Sequence, residues 1–129
     1  MELLEDRRYL RVKNYLEDKT QSKFYFSDKV YLCKIFREIL ASLKFNHLNK
    51  IEREIFVENP QLKEQNWGNQ LKRYVLLNLE TEPKFKQNPA IYKHVKEIIE
   101  INSLINDILI VLDEQSQIVN SLNQGIEKE

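Results

Sequence analysis

An apolar residue recurs every seven positions in the C-terminal part of the chain, and this repeat constrains the fold more than any other feature. Its members are Ile91, Ile98, Ile105, Leu112 and Val119, and Ile101, Ile108 and Leu122 lie three residues after a member. Such a repeat places one stripe along a helix and keeps it against a partner. Asn88-Pro89 favours a start, because Asn caps free N–H groups and Pro suits the first helical position. The sequence predicts one helix from Asn88 to Leu122, followed by a frayed polar tail at 123–129.

Apolar residues at helical spacing predict shorter helices before the long one. We expect a first helix over residues 2–19 and a second that begins after Ser27 and carries an apolar face as far as Leu43. A third begins at Asn49, where Glu52 completes the capping-box spacing, and ends at Asn59-Pro60. A fourth covers 62–79 with a kink or restart near Trp67-Gly68. Glu82-Pro83 then stops it before a loop at 84–87.

These segments predict an all-α bundle of four to five helices with a long C-terminal helix, in a single domain at 1–122. Two glycines and three prolines leave few tight turns, which weighs against a β-sandwich or barrel. No apolar run reaches the roughly 18 residues that cross a bilayer, and the acidic start lacks the basic residues of a signal peptide. With a single cysteine, the expectation is a cytoplasmic protein without a membrane partner.

Catalytic and metal-binding patterns are missing from the sequence. His47 and His94 lie in different segments, and neither has a second His or Cys at ligand spacing. Cys33 borders an apolar arc with no base or cationic cluster beside it, so packing is favoured over a nucleophile. His94 falls at an inward position of the long helix, where a histidine at the edge of the core is expected. The sequence therefore predicts a non-enzymatic protein with no catalytic residue, no metal and no cofactor.

Charge is balanced overall but unevenly distributed. Residues 1–53 hold 12 Lys/Arg against 8 Asp/Glu, whereas residues 54–129 hold 8 against 12. The two halves should attract each other, and a basic N-terminal surface for an anionic partner is the second interpretation. Arg8 alone among the first arginines falls within the apolar arc, as a snorkelling side chain or as a clamp for phosphate or carboxylate. The candidate anion or nucleic-acid contacts are Arg7, Arg8, Arg11, Lys23, Lys34, Arg37 and Lys44.

Aromatic residues are concentrated in the same half of the chain. Eight of the 12 Phe and Tyr residues are Tyr9, Tyr15, Phe24, Tyr25, Phe26, Tyr31, Phe36 and Phe45. Rings for stacking, interleaved with cations for phosphates, are what single-stranded nucleic acid binding requires. The same pattern arises when rings pack inward between solvated lysines, and this interpretation is favoured because Tyr9, Tyr15 and Phe36 fit the apolar arcs.

The middle of the long helix, Leu104 to Leu112, is apolar nearly all round. Such a helix lies between several others or between subunits. Two alternatives follow: an intrachain bundle alone, or a bundle with an additional intermolecular contact. The candidate protein interface for the second alternative is Leu104, Ile108, Ile110 and Val111.

In size and helical class the chain is similar to the small helical subunits of ribonucleoprotein complexes, including those of CRISPR effector complexes. That similarity covers architecture and no specific motif, so it transfers no residue's role. The sequence predicts a non-enzymatic binding subunit or adaptor of a larger cytoplasmic assembly, with a protein partner or self-association. The alternative is a small subunit that binds a nucleic-acid backbone through its basic, aromatic N-terminal face.

Overall fold

The computed structural model describes residues 6–25, 28–65 and 69–127, with side chains as far as residue 118. The described chain is all-α and contains five α-helices and one short 3₁₀ helix. The predicted fold class, an all-α chain with a long C-terminal helix, is confirmed.

Helix α1, Arg7–Thr20, begins at Asp6, whose side chain accepts a hydrogen bond from the backbone N–H of Arg8. This bond satisfies one of the N–H groups that have no partner inside a helix. The helix ends where Gln21 adopts a left-handed conformation with φ 55°. Tyr9, Val12 and Leu16 are fully buried on one face, as the apolar spacing predicted.

Helix α2, Lys29–Glu58, is one continuous helix of 30 residues. The predicted break between Leu43 and Asn49 is wrong, because Leu48 and Ile51 continue the buried face straight through it. No Gly or Pro interrupts this stretch, and the capping-box spacing of Asn49 and Glu52 does not by itself start a new helix. The predicted end at Asn59-Pro60 is confirmed.

The described part of the segment between the two long helices contains three short helical elements. A 3₁₀ helix at Pro60–Gln65 and helix α3, Asn69–Leu77, replace the single helix expected over 62–79. The predicted kink near Trp67-Gly68 lies outside the described residues. The loop expected at 84–87 is wrong: Pro83–Gln87 form a short helix, α4, because the Glu82 side chain accepts from the N–H of Lys84 and Phe85 is buried.

Helix α5, Pro89–Glu127, begins where the sequence predicted. The Asn88 side chain accepts from the N–H of Ala90 at 2.9 Å, and Pro89 occupies the first helical position. The helix continues to Glu127, so the end predicted at Leu122 is wrong. The fraying expected at 123–129 stays a prediction.

The chain divides into two compact units. The first comprises residues 1–41 and 103–129, and the second comprises residues 42–102. The buried apolar side chains of the first unit are Tyr9, Val12, Leu16, Leu32, Cys33, Phe36, Leu40, Leu104, Ile108 and Val111. The core of the second unit is formed by Leu48, Ile51, Ile55, Leu71, Val75, Leu79, Phe85, Ile91, Val95 and Ile98. The expectation of a single domain at 1–122 stays a prediction.

Candidate binding cleft

A cleft of about 580 Å³ lies between α2 and α5 in the first unit. Its lining residues are Val30, Lys34, Arg37 and Glu38 from α2, and Leu112, Gln115 and Ser116 from α5. Positions 30, 34 and 37 share one face of a helix because they are spaced by four and three residues. On α5, positions 115 and 116 lie three and four residues after position 112 and share a face with it. Two regular helix faces therefore build the walls of the cleft.

The orientation of the α2 wall is fixed by the opposite side of that helix. Leu32, Phe36 and Leu40 are fully buried in the first unit, and Phe36 contacts the Tyr9 ring at a centroid distance of 5.8 Å. Lys34 and Arg37 fall outside this buried stripe and are exposed. Burial of the apolar stripe thus directs both cations to the cleft rim, and no flexible loop positions them.

The cleft combines an apolar floor with a cationic rim. Val30 and Leu112 are half-buried, whereas Lys34, Arg37 and Glu38 are exposed. Two cations against one carboxylate leave a net charge of +1 at the rim. Gln115 and Ser116 add an amide and a hydroxyl on the opposite wall. The site offers hydrogen-bond donors and positive charge above an apolar surface.

Arg8, which fell within the apolar arc of the sequence, is a carboxylate clamp. Its guanidinium lies 3.0 Å from the Asp6 carboxylate and 2.7 Å from the Glu114 carboxylate. The hydrogen bond from Arg8 holds the pKa of Asp6 below its ordinary value, and the same bond, followed by that to Glu114, raises the pKa of Arg8. This arginine joins the start of α1 to α5.

Arg11 is also engaged within the first unit. Its guanidinium donates to the Asp107 carboxylate at 2.6 Å and to the Ser103 hydroxyl at 3.1 Å. With the pair of Arg8 and Glu114, this contact gives two ion pairs between an arginine of the N-terminal half and a carboxylate of the C-terminal half. The positive charge of both arginines is balanced inside the chain.

The seven predicted anion contacts have different surroundings. Lys34 and Arg37 line the cleft together, and Arg8 and Arg11 are held by carboxylates, as described above. The Lys23 ammonium lies 3.8 Å from Glu17, a buried carboxylate that also accepts from the N–H of Phe24 at 3.0 Å. Arg7 is exposed on α1, and Lys44 is half-buried and belongs to the second unit.

The aromatic residues divide between the core and the surface. Tyr9 and Phe36 are fully buried, and Phe24 packs its edge against Phe36 at a centroid distance of 5.1 Å. Tyr25 is 86% exposed and Tyr31 is 53% exposed. Inward packing accounts for the first three rings, whereas Phe26 lies outside the described residues.

Three of the four residues of the predicted protein interface are buried within the chain. Leu104, Ile108 and Val111 belong to the core of the first unit. Ile110 is 36% exposed, and the neighbouring Leu109 is 41% exposed. Of the four predicted residues, Ile110 is the exposed one, and the intermolecular interpretation stays a prediction.

The contact between the two histidines was not predicted from the sequence. His47 on α2 and His94 on α5 lie in the second unit with their Nδ1 atoms 2.9 Å apart. Helical spacing placed His94 at the core edge but gave no signal that a residue 47 positions earlier would meet it. Cys33 is fully buried, as predicted, and burial raises the pKa of its thiol to about 11.

Among the described residues, no group of three or more His, Cys, Asp or Glu side chains is placed to hold a metal ion. Within the same residues, no helix combines the length and apolar character needed to cross a membrane. Comparison of the chain with protein-family models, with curated proteins and with solved structures found no match.

Proposed function

We propose that this chain is a non-enzymatic binding component of a larger cytoplasmic assembly, and that its cleft receives an acidic, partly apolar segment of a partner protein. The observation that carries the proposal is the placement of two exposed cations, Lys34 and Arg37, over the half-buried floor of Val30 and Leu112. Carboxylates of the partner would pair with the cations while an apolar side chain covers the floor. The burial of apolar area would then provide affinity, and the ion pairs would fix the orientation of the partner segment.

A protein segment fits this site better than a nucleic-acid backbone. Binding to a nucleic acid gains its free energy by neutralising several phosphates with as many cations. The cleft offers two cations, and Glu38 opposes them. Arg8 and Arg11, which would have to extend such a surface, are held by Glu114 and Asp107. A phosphate chain would make no favourable apolar contact with the floor of the cleft, whereas a leucine or a similar side chain would.

The test measures binding by fluorescence polarisation of two labelled ligands in separate titrations. One is a short peptide of glutamate and leucine, and the other is a single-stranded oligothymidylate. We expect saturable binding of the peptide, weakened about tenfold or more by the double reversal Lys34→Glu and Arg37→Glu. Each exposed ion pair contributes about 0.2–1 kcal/mol, and reversal replaces attraction with repulsion. The matched control reverses Lys63 and Arg73, two exposed cations of the second unit, and should bind as the unaltered chain does.

Two results would contradict the proposal. Equal loss in both double variants would show a response to net charge and not to the cleft. Preferential binding of the oligothymidylate, weakened by the reversal of Lys34 and Arg37, would assign the cleft to a nucleic-acid backbone instead.

A further inference from the structure

We propose that His47 and His94 form a pH-sensitive contact between α2 and α5 in the second unit, intact while the two rings share one proton and lost when both are protonated. The inference concerns regulation of the fold and does not depend on the occupant of the cleft.

The geometry is that of a hydrogen bond and not of a metal chelate. The Nδ1 atoms are 2.9 Å apart and the ring centroids are 5.2 Å apart. This centroid separation equals the N···N distance extended by the distance from each nitrogen to its ring centre. The two nitrogens therefore point at each other along one line. Ligands of a common metal ion would instead point at a third position away from that line, which would bring the centroids closer together.

A neutral imidazole carries a proton on one nitrogen and a lone pair on the other. In this contact one Nδ1 must donate and the other must accept, so the two rings hold different tautomers. When both rings are protonated, the accepting lone pair is lost and two positive charges face each other at 2.9 Å. Acidification thus converts an attractive contact between α2 and α5 into a repulsive one.

The two histidines lie beside the core of the second unit, so repulsion between them should lower the stability of that unit. Leu48 follows His47 directly, and Val95 follows His94 directly, and both belong to the core of this unit. Both histidines are half-buried. Repulsion between them therefore acts at the edge of the core, where water screens charges less than at an open surface.

More of the charged neighbours lower the pKa of His94 than raise it. Burial lowers the pKa of His94 below its ordinary value of 6.5, and His47, Lys93 on α5 and Lys50 on α2 lower it further. Glu54 on α2 acts in the opposite direction.

Lys44 lies three residues before His47 on α2, and Glu97 lies three residues after His94 on α5, so each shares a helix face with its histidine. Lys72 on α3 contacts α2. Lys72 is paired with Glu52 at 2.9 Å and lies over the Phe45 ring.

The sign of the pH dependence is set by the pKa of His94. Because its pKa is lower in the folded chain, the unfolded chain binds more protons as the pH falls below about 7. The unfolding equilibrium constant should rise by up to about tenfold per pH unit for each proton taken up.

The experiment uses the fact that the full chain contains two histidines, so every imidazole signal comes from this pair. A long-range ¹H–¹⁵N spectrum at about pH 7.5 should show one ring protonated at Nδ1 and one at Nε2. In parallel, the unfolding equilibrium constant is measured between about pH 7.5 and 5.5, above the titration range of ordinary carboxylates. It should rise on acidification in the unaltered chain and stay nearly constant in the double variant His47→Gln and His94→Gln.

Glutamine retains a hydrogen-bonding amide and does not titrate, which makes the double variant the matched control. If that variant does not fold, the tautomer spectrum of the unaltered chain decides alone. Two Nε2-protonated rings would overturn the proposal. So would a rise of the unfolding constant in the double variant equal to that in the unaltered chain.

Discussion

Replacement of Tyr9 by phenylalanine should stabilise the protein. Tyr9 is fully buried in the first unit, and its hydroxyl finds no hydrogen-bond partner among the described residues. Burial raises the pKa of Tyr9 to about 12, so the hydroxyl keeps its proton at neutral pH. An unsatisfied buried polar group costs about 1–3 kcal/mol, and phenylalanine removes it while retaining the ring that contacts Phe36.

The expected gain in the free energy of unfolding is about 1–2 kcal/mol, the lower part of that range, because phenylalanine leaves a small void where the hydroxyl was. With a urea m-value of about 2 kcal/mol per molar, the unfolding midpoint should rise by roughly 0.5–1 M at constant m. Circular dichroism during urea titration measures both quantities. Tyr74→Phe is the matched control: the Tyr74 hydroxyl donates to Glu82 at 3.0 Å on the surface, and its loss should lower the midpoint slightly. A midpoint that falls further for Tyr9→Phe than for Tyr74→Phe would refute the reasoning and indicate a buried partner for the Tyr9 hydroxyl.

Three further predictions concern the first unit. Ile108→Ala should lower the free energy of unfolding by about 2–5 kcal/mol, because Ile108 is buried. Leu109→Ala, at a neighbouring exposed position, should lower it by less than about 1 kcal/mol. Equal losses in denaturant titration would contradict the assignment of the two faces of α5. The Cys33 thiol, fully buried and with its pKa raised to about 11, should react with an aromatic disulfide reagent far more slowly in the native chain than in urea; similar rates would show that it is accessible. A double-mutant cycle with Arg11→Met and Asp107→Asn should give a coupling energy of about 0.2–1 kcal/mol that decreases with salt. A coupling energy of zero would show that Asp107 does not hold Arg11, which could then contact an external anion.

Local signals were sufficient where one residue type has a specific backbone role. The start of α5 at Asn88-Pro89 and the end of α2 near Asn59-Pro60 both follow from the chemistry of Asn and Pro. The buried stripes of α1 and α2 follow from helical spacing. Where a weak local signal competed with burial, burial decided the outcome. The spacing of Asn49 and Glu52 resembles a helix start, but the continuing stripe of buried residues carries α2 through it.

The residues of the candidate cleft were predicted only in part. Sequence reasoning selected Lys34 and Arg37 as exposed cations of one helix face, but it could not show that Leu112 and Ser116 lie opposite them. It also could not foresee that Glu114 would pair with Arg8. These contacts join residues about 80 to 106 positions apart, and periodicity within one helix carries no information about which face of another helix it meets. The pair of histidines was missed for the same reason.

The most direct test of the proposed binding function is an amide chemical-shift titration of the ¹⁵N-labelled chain with the glutamate and leucine peptide. The proposed function predicts that the amides that shift are confined to the two walls of the cleft, around 30–38 on α2 and 112–116 on α5, and that reversal of Lys34 and Arg37 removes those shifts. Shifts centred elsewhere, for example on α3 or α4, or an unchanged spectrum at millimolar peptide, would contradict it.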